Sequence, residues 1–333
     1  MSELTVGYAA MLEQFEPQEV VGYTALAEEH GFSGCMAADH FQPWVPQQGQ
    51  ASFVWSVLAA VGERTAGDMG PGVTCPSFRF HPAIVAQAAA TQEAMYPGRS
   101  WLGLGAGEAL NEHIVPGYWP EAGERSLRMW EAIELINKLF TASLAGKDVK
   151  HEGKFFKMES TRLWTMPEKA PPILVATAGP INAKKTGKFA DGIITVGAPL
   201  EKIDGLFAKF AEGAREAGKD PDTMPKVLQL HLSWAATDEE ALTNAMTEWP
   251  NGGMKFAKAD IRSPFDFEQM AKLVRPEDFE GRMVISSDPD EHLQYIQKFV
   301  DLGFDRVYLH NVGRNQAEWI EVFGREVLPK LKR

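Results

Sequence analysis

Asp39, His40 and Trp44 bring a carboxylate, an imidazole and an indole into one short run, Asp39-His40-Phe41-Gln42-Pro43-Trp44. An imidazole exchanges a proton near neutral pH, a carboxylate orients a polar partner, and an indole supplies a flat wall or an N–H donor. Helix capping and aromatic packing explain the same residues without chemistry. Glu108 follows Gly103, Gly105 and Gly107, which permit close ligand approach beside a carboxyl group able to act on a substrate proton. A tight strand-to-helix turn explains that spacing equally well, and it is not the dinucleotide fingerprint Gly-x-Gly-x-x-Gly. Ala176-Thr177-Ala178-Gly179-Pro180 offers small side chains and free amides that could receive a phosphate, or simply stops a strand. Lys258 and Arg282 can form charge-assisted bonds to an anionic substrate or stand as ordinary surface charges.

The elements that must position these groups recur as short strands separated by longer helices. Strand starts at Leu4, Phe32, Gly70, Trp101, Pro172, Gly192, Val227 and Asp305 make eight, which favours one closed (β/α)₈ barrel over an open sheet. Helices are predicted over 17–30, 52–64, 82–96, 124–140, 182–189, 202–217, 290–302 and 317–331 from apolar spacing and Gly or Pro boundaries. His40 and Glu108 then follow the second and fourth strands. Residues 1–333 read as a single domain in which two intervals, 142–168 and 249–280, break the rhythm. Both are expected as insertions over the barrel mouth, able to form a lid.

With 333 residues and 44% hydrophobic composition, the chain can bury a large core without disulfides. The formal charge of −12, from 33 Lys and Arg against 45 Asp and Glu, opposes a nucleic-acid-coating role. Cys35 and Cys75 are expected as buried free thiols, which fits a reducing cytoplasm. The first residues show no signal-peptide pattern, and no apolar run approaches the roughly 18 residues of a membrane helix, so a soluble, cytoplasmic protein is expected. The histidines form no His-Glu-x-x-His or dense Cys/His pattern, and no metal site is expected. Neither the P-loop nor the Gly-x-Ser-x-Gly motif is present, so ATPase and α/β-hydrolase readings lack support.

The run 39–44 and Gly107-Glu108-Ala109-Leu110-Asn111-Glu112 closely resemble the F420-dependent glucose-6-phosphate dehydrogenase group of the bacterial luciferase-like superfamily. Ala60-Val61-Gly62-Glu63-Arg64-Thr65, Tyr96-Pro97-Gly98-Arg99 and Ser287-Asp288-Pro289-Asp290-Glu291 extend the match through nearly the whole chain. The resemblance implies a luciferase-like (β/α)₈ barrel, usually a homodimer, with the deazaflavin F420 in its mouth and a small-molecule substrate. It implies that Asp39, Gly72, Val73, Ala106, Asn111 and the loop Ala176, Thr177, Ala178 and Gly179 surround the cofactor. In several relatives the segment matching Gly72 and Val73 holds a non-prolyl cis peptide. Activity would transfer a hydride from C1 of glucose 6-phosphate to C5 of F420. His40 would be the base, Trp44 would support the intermediate arrangement, Glu108 would protonate the reduced ring, and Glu13 matches a further active-site carboxylate.

Lys258 and Arg282 match two basic positions that the resemblance assigns to substrate phosphate. The lysine expected after the strand at 192–196 is missing from Val196-Gly197-Ala198-Pro199, and Ala259 replaces a histidine beside the later lysine. Three alternatives therefore stand beside sugar-phosphate oxidation: an F420-dependent enzyme for another sugar, alcohol or reducible organic substrate, an FMN-dependent monooxygenase, and a noncatalytic cofactor-binding homologue.

Overall fold

A computed structural model describes residues 4–332. The chain opens with β1 (Thr5–Ala10), α1 (Pro17–Glu29), β2 (Gly34–Ala37), α2 (Val54–Gly62), β3 (Asp68–Pro71), α3 (Pro82–Met95), β4 (Leu102–Leu104), a one-turn α4 (Ala109–Glu112) and the long α5 (Ala122–Leu144). A hairpin of β5 (Val149–Glu152) and β6 (Lys157–Thr161) follows, then β7 (Ile173–Ala176), α6 (Pro180–Phe189), β8 (Gly192–Val196), α7 (Leu200–Glu216) and β9 (Lys226–Trp234). The last part holds α8 (Asp238–Glu248), α9 (Pro264–Ala271), β10 (Val284–Ser286), α10 (Pro289–Leu302), β11 (Arg306–Asn311) and α11 (Gln316–Glu326). Proline opens α1, α3, α6, α9 and α10, where its missing N–H costs nothing and its fixed φ suits the first turn.

The parallel strands run in the order β3-β2-β1-β11-β9-β8-β7-β4, and the bridges Met69 to Ser100 and Thr74 to Leu104 join β3 to β4 and close the ring. The eight expected strands are the eight staves of this barrel. Its interior is filled by Ala9, Met36, Trp101, Leu174, Ile194, Val227 and Tyr308. Gly7 is required beside them: a Cβ there would lie 2.4 Å from the Tyr308 ring. Aliphatic and aromatic side chains of the helices pack outside, with Trp319, Phe210 and Phe323 fully buried beside Phe304 of the turn before β11. Both cysteines are free and buried. No helix among the described residues is long and apolar enough to cross a membrane.

Several elements differ from the sequence-based expectation. α8 lies outside the predicted helices, although Thr237 caps it by accepting from the Glu240 amide, a Thr-x-x-Glu start signal. α9 and β10 occupy and follow the interval 249–280, with β10 adding a ninth strand beside the upper end of β9. The terminal helix stops at Glu326 and continues as a 3₁₀ turn over Leu328–Lys330, because Pro329 cannot donate to the helical ladder. The interval 142–168 is placed differently from the expected mouth insertion. Its hairpin packs Phe156 and Met158 against α3 and α5, and Glu131 on α5 accepts from the amides of Lys154, Phe155 and Phe156. Those bonds hold it on the outer flank, and no residue of 142–168 lines the central cavity.

Candidate active site

The carboxyl ends of the staves surround a cavity of about 560 Å³. Glu13 comes from the turn after β1, Asp39, His40 and Trp44 from the loop after β2, and Gly72 and Val73 from the segment after β3. The loop after β4 adds Ala106 and Glu108, and α4 adds Asn111; the end of β7 and its loop add Ala176, Thr177 and Ala178. The interval after α8 closes the far side with Trp249, Asn251 and Lys258, and Arg282 stands just before β10. Opposite ends of the chain thus meet where a parallel barrel conventionally carries its chemistry.

His40 Nδ1 lies 2.8 Å from Glu13 Oε1, and Glu13 is fully buried. A carboxylate at Nδ1 fixes the proton there, leaving Nε2 as the nitrogen able to accept one. Burial opposes charge on this ring, but the Glu13 carboxylate, helped by Glu108, outweighs it and lifts the His40 pKa above its ordinary value. Burial raises the Glu108 pKa as well, only partly offset by His40 and the Lys258 ammonium, so this carboxyl retains its proton to higher pH than a free glutamate. Two proton-handling groups therefore line one cavity, each influencing the other's proton affinity, with Glu13 acting on both and Lys258 on Glu108 alone. Trp44 packs edge-on to His40 at 5.1 Å and to Phe267 of α9 at 5.2 Å, which holds the imidazole from the lid side.

Asp39 is held from behind. Its Oδ2 accepts from Thr74 Oγ1 at 2.8 Å, and Oδ1 pairs with Arg79 Nη2 at 3.2 Å. Arg79 Nε also donates to Glu112 at 3.0 Å, and Nη2 to the Asp39 carbonyl at 2.9 Å. Arg79 therefore ties the loops after β2, β3 and β4 into one frame. Sequence reasoning missed it, since an isolated arginine after a strand carries no local signal. Asn111 Oδ1 accepts from the amides of Phe41 and Gln42 at 2.9 and 3.3 Å, so it also shapes the His40 loop.

The luciferase-like monooxygenase family model matches residues 4–306. The F420-dependent glucose-6-phosphate dehydrogenase of Mycolicibacterium gilvum is 37% identical, over 100% of this chain and 99% of its own. The chain belongs to the luciferase-like monooxygenase family. Within that family it groups with the F420-dependent glucose-6-phosphate dehydrogenases. A solved F420-dependent secondary alcohol dehydrogenase, in complex with an F420-acetone adduct, superposes with a TM-score of 0.93 at 30% identity, covering 100% of both chains. The F420-dependent tetrahydromethanopterin reductase of Methanopyrus kandleri shares the fold, with a TM-score of 0.80 at 22% identity over 99% of this chain and 100% of its own.

In this luciferase-like barrel, the residues that the resemblance assigns to the site gather around the cavity, apart from Gly179. Gly179 instead caps the start of α6, and its amide donates to Thr177 Oγ1 at 3.2 Å. The Gly72–Val73 peptide is cis. Gly107 has φ of +83°, and a Cβ there would lie 2.6 Å from Cys75 Sγ, so only glycine makes the turn that presents Glu108. The wall formed by Gly72, Val73, Ala106, Ala176 and Ala178 carries only small side chains, which leaves room for a flat ring system against the strand ends. Elsewhere in the lining, Lys258 Nζ donates to the Asn251 carbonyl at 2.7 Å and Arg282 Nη1 to that of Met254 at 3.1 Å. Burial lowers the Lys258 pKa, with Arg282 adding to the effect and Glu108 opposing it.

Proposed function

We propose that this chain is an F420-dependent dehydrogenase that oxidises C1 of glucose 6-phosphate to the lactone, working as a cytoplasmic homodimer. The observation that carries the reading is the Glu13–His40 pair facing Glu108 within one cavity whose other wall is built of small residues. Full-length relatives named F420-dependent glucose-6-phosphate dehydrogenase support the cofactor and the reaction class. F420, when bound, supplies a hydride acceptor at C5. Gly72, Val73, Ala106 and the 176–178 loop would hold its ring system, with Asn111 and Asp39 at the edge.

His40 Nε2 accepts the C1 hydroxyl proton, and the buried Glu13 carboxylate stabilises the imidazolium that results. Loss of that proton and of a hydride from C1 leaves the lactone. Glu108, whose burial favours its protonated form, delivers a proton on the cofactor side. Trp44 excludes water and holds the His40 ring in place. Lys258 and Arg282 bind the substrate phosphate.

Rapid mixing with F420 and C1-deuterated substrate separates the two proton roles. His40→Ala slows hydride transfer by about 10²–10⁴-fold while F420 still binds. Glu108→Gln retains cofactor binding and impairs completion of reduction. Normal transient hydride transfer in His40→Ala would remove His40 as the base, and normal reduction across the pH range in Glu108→Gln would remove Glu108 as the acid.

A second reading, oxidation of a different alcohol or sugar by the same groups, is favoured by one feature. The turn after β8, Val196 to Pro199, contributes no cation to the phosphate side. A substrate panel decides between them, since the second reading requires faster F420 reduction with an uncharged alcohol than with glucose 6-phosphate.

A further inference from the structure

His231 on β9 and His310 on β11 stand opposite each other in the parallel register, with their Nδ1 atoms 2.8 Å apart. Trp249, from the segment after α8, partly stacks on His231 (centroids 4.7 Å, 35°) and meets His310 edge-on (4.8 Å, 85°). His231 lines the cavity beside Gln229, Asn251, Lys258 and Arg282. His310 is buried, and its Nε2 has no partner among the described residues.

That asymmetry selects the tautomers. If His231 donated from Nδ1, neutral His310 would carry its proton on the buried Nε2 with no acceptor. If His310 donates, only a lone pair is left bare at that atom. A buried N–H without an acceptor is the rarer and costlier orphan. His310 Nδ1–H therefore donates to His231 Nδ1, and His231 carries its proton on Nε2, the nitrogen left for the cavity. Both rings are neutral: burial and the Lys258 ammonium push His231 down to about 3, and burial with His231 holds His310 well below the ordinary value.

Position adds to this. Val196 at the end of β8 pairs with Gln229, and His231 stands one step further along the same face of β9, level with the turn that contributes no cation. We infer that His231 is a third recognition residue for an anionic substrate group, its Nε2–H donating to a phosphate oxygen held also by Lys258 and Arg282, with His310 as the positioning residue that fixes its tautomer. The inference rests on the sugar-phosphate reading and names a residue of that same site.

Two measurements test it. Nitrogen-15 spectra of histidine-labelled wild-type protein at neutral pH should show His231 protonated at Nε2 and His310 at Nδ1; the reverse pair of tautomers overturns the assignment. Calorimetric titration with inorganic phosphate and with glucose 6-phosphate should show affinity weakened about tenfold or more in His231→Ala, and largely restored in His231→Gln, whose amide supplies an N–H. Phosphate affinity in His231→Ala within twofold of wild type, or no phosphate binding by wild type, overturns the inference. If phosphate binds through His231 but glucose 6-phosphate is not oxidised, the anion site stands and the sugar-phosphate reading falls. If glucose 6-phosphate is oxidised with KM unchanged in His231→Ala, the reading stands and the inference falls.

Discussion

Glu13 and His40 sit in different loops, yet their 2.8 Å contact sets the protonation behaviour of the proposed base. The sign follows from the groups. A general base works when deprotonated, so a raised His40 pKa moves the acidic limb of the pH–rate profile upward. Glu13→Gln keeps an oxygen able to accept from Nδ1 and removes only the charge. The limb should then move to lower pH, with a smaller loss of maximal rate than His40→Ala shows. Steady-state rates from pH 5 to 9 check this, and an unmoved limb would mean that Glu13 does not tune the base. His40, Trp44 and Glu108 were legible as reactive residue types in the sequence. Glu13 was legible only through resemblance, and Arg79 not at all, because its value lies in joining three loops that only the closed barrel brings together.

At the scale of elements, the segment after α8 is the part of the barrel that covers the site. Its backbone is strapped to the turn that carries Glu108, where the Ala109 amide donates to the Ala259 carbonyl at 2.8 Å. Asp260 Oδ1 accepts from Trp119 Nε1 at 2.9 Å and from Arg125 Nη1 at 2.8 Å, linking the segment to the α4–α5 connection. Asp260 is exposed, so its ion pair alone is worth at most about 1 kcal/mol. Its larger effect is to hold Lys258, two residues earlier, over the cavity. Asp260→Ala should therefore raise KM for a phosphorylated substrate several-fold, leave the melting temperature nearly unchanged, and speed proteolytic cleavage within 254–262. Unchanged KM together with unchanged cleavage would show that the segment is held by other contacts. The two irregular intervals have similar compositions, both rich in charged residues. Only one covers the mouth, since the other is captured by Glu131 and by apolar residues of α3 and α5.

At the scale of the whole molecule, a groove of about 320 Å³ runs along the outer face of α2 and α3 and shares no lining residue with the cavity at the barrel mouth. Phe53, Ile84 and Met95 are exposed there and no described element covers them. The homodimer proposed above would bury such a face, as apolar surface gains from removal from water. Ile84→Glu places a charge on it and should shift the protein from dimer to monomer in sedimentation equilibrium. A dimer of unchanged affinity would place the interface on another face.

The eight staves, most of the helices and the residue types of the site are legible in the order of residues along the chain. Strand and helix periodicity, proline at helix starts and the glycine turn before Glu108 are all local, so each can be read from neighbours in the chain. Tertiary structure alone decided which groups act together. Barrel closure sets β11 between β1 and β9, and so pairs His310 with His231 and buries Tyr308 against Gly7. It also decides which side chains lose water, and this loss, more than their identity, moves the proton affinities of Glu108, Lys258 and His231 away from ordinary values. Desolvation and long-range pairing depend on contacts between residues far apart in the chain, which composition and spacing do not encode.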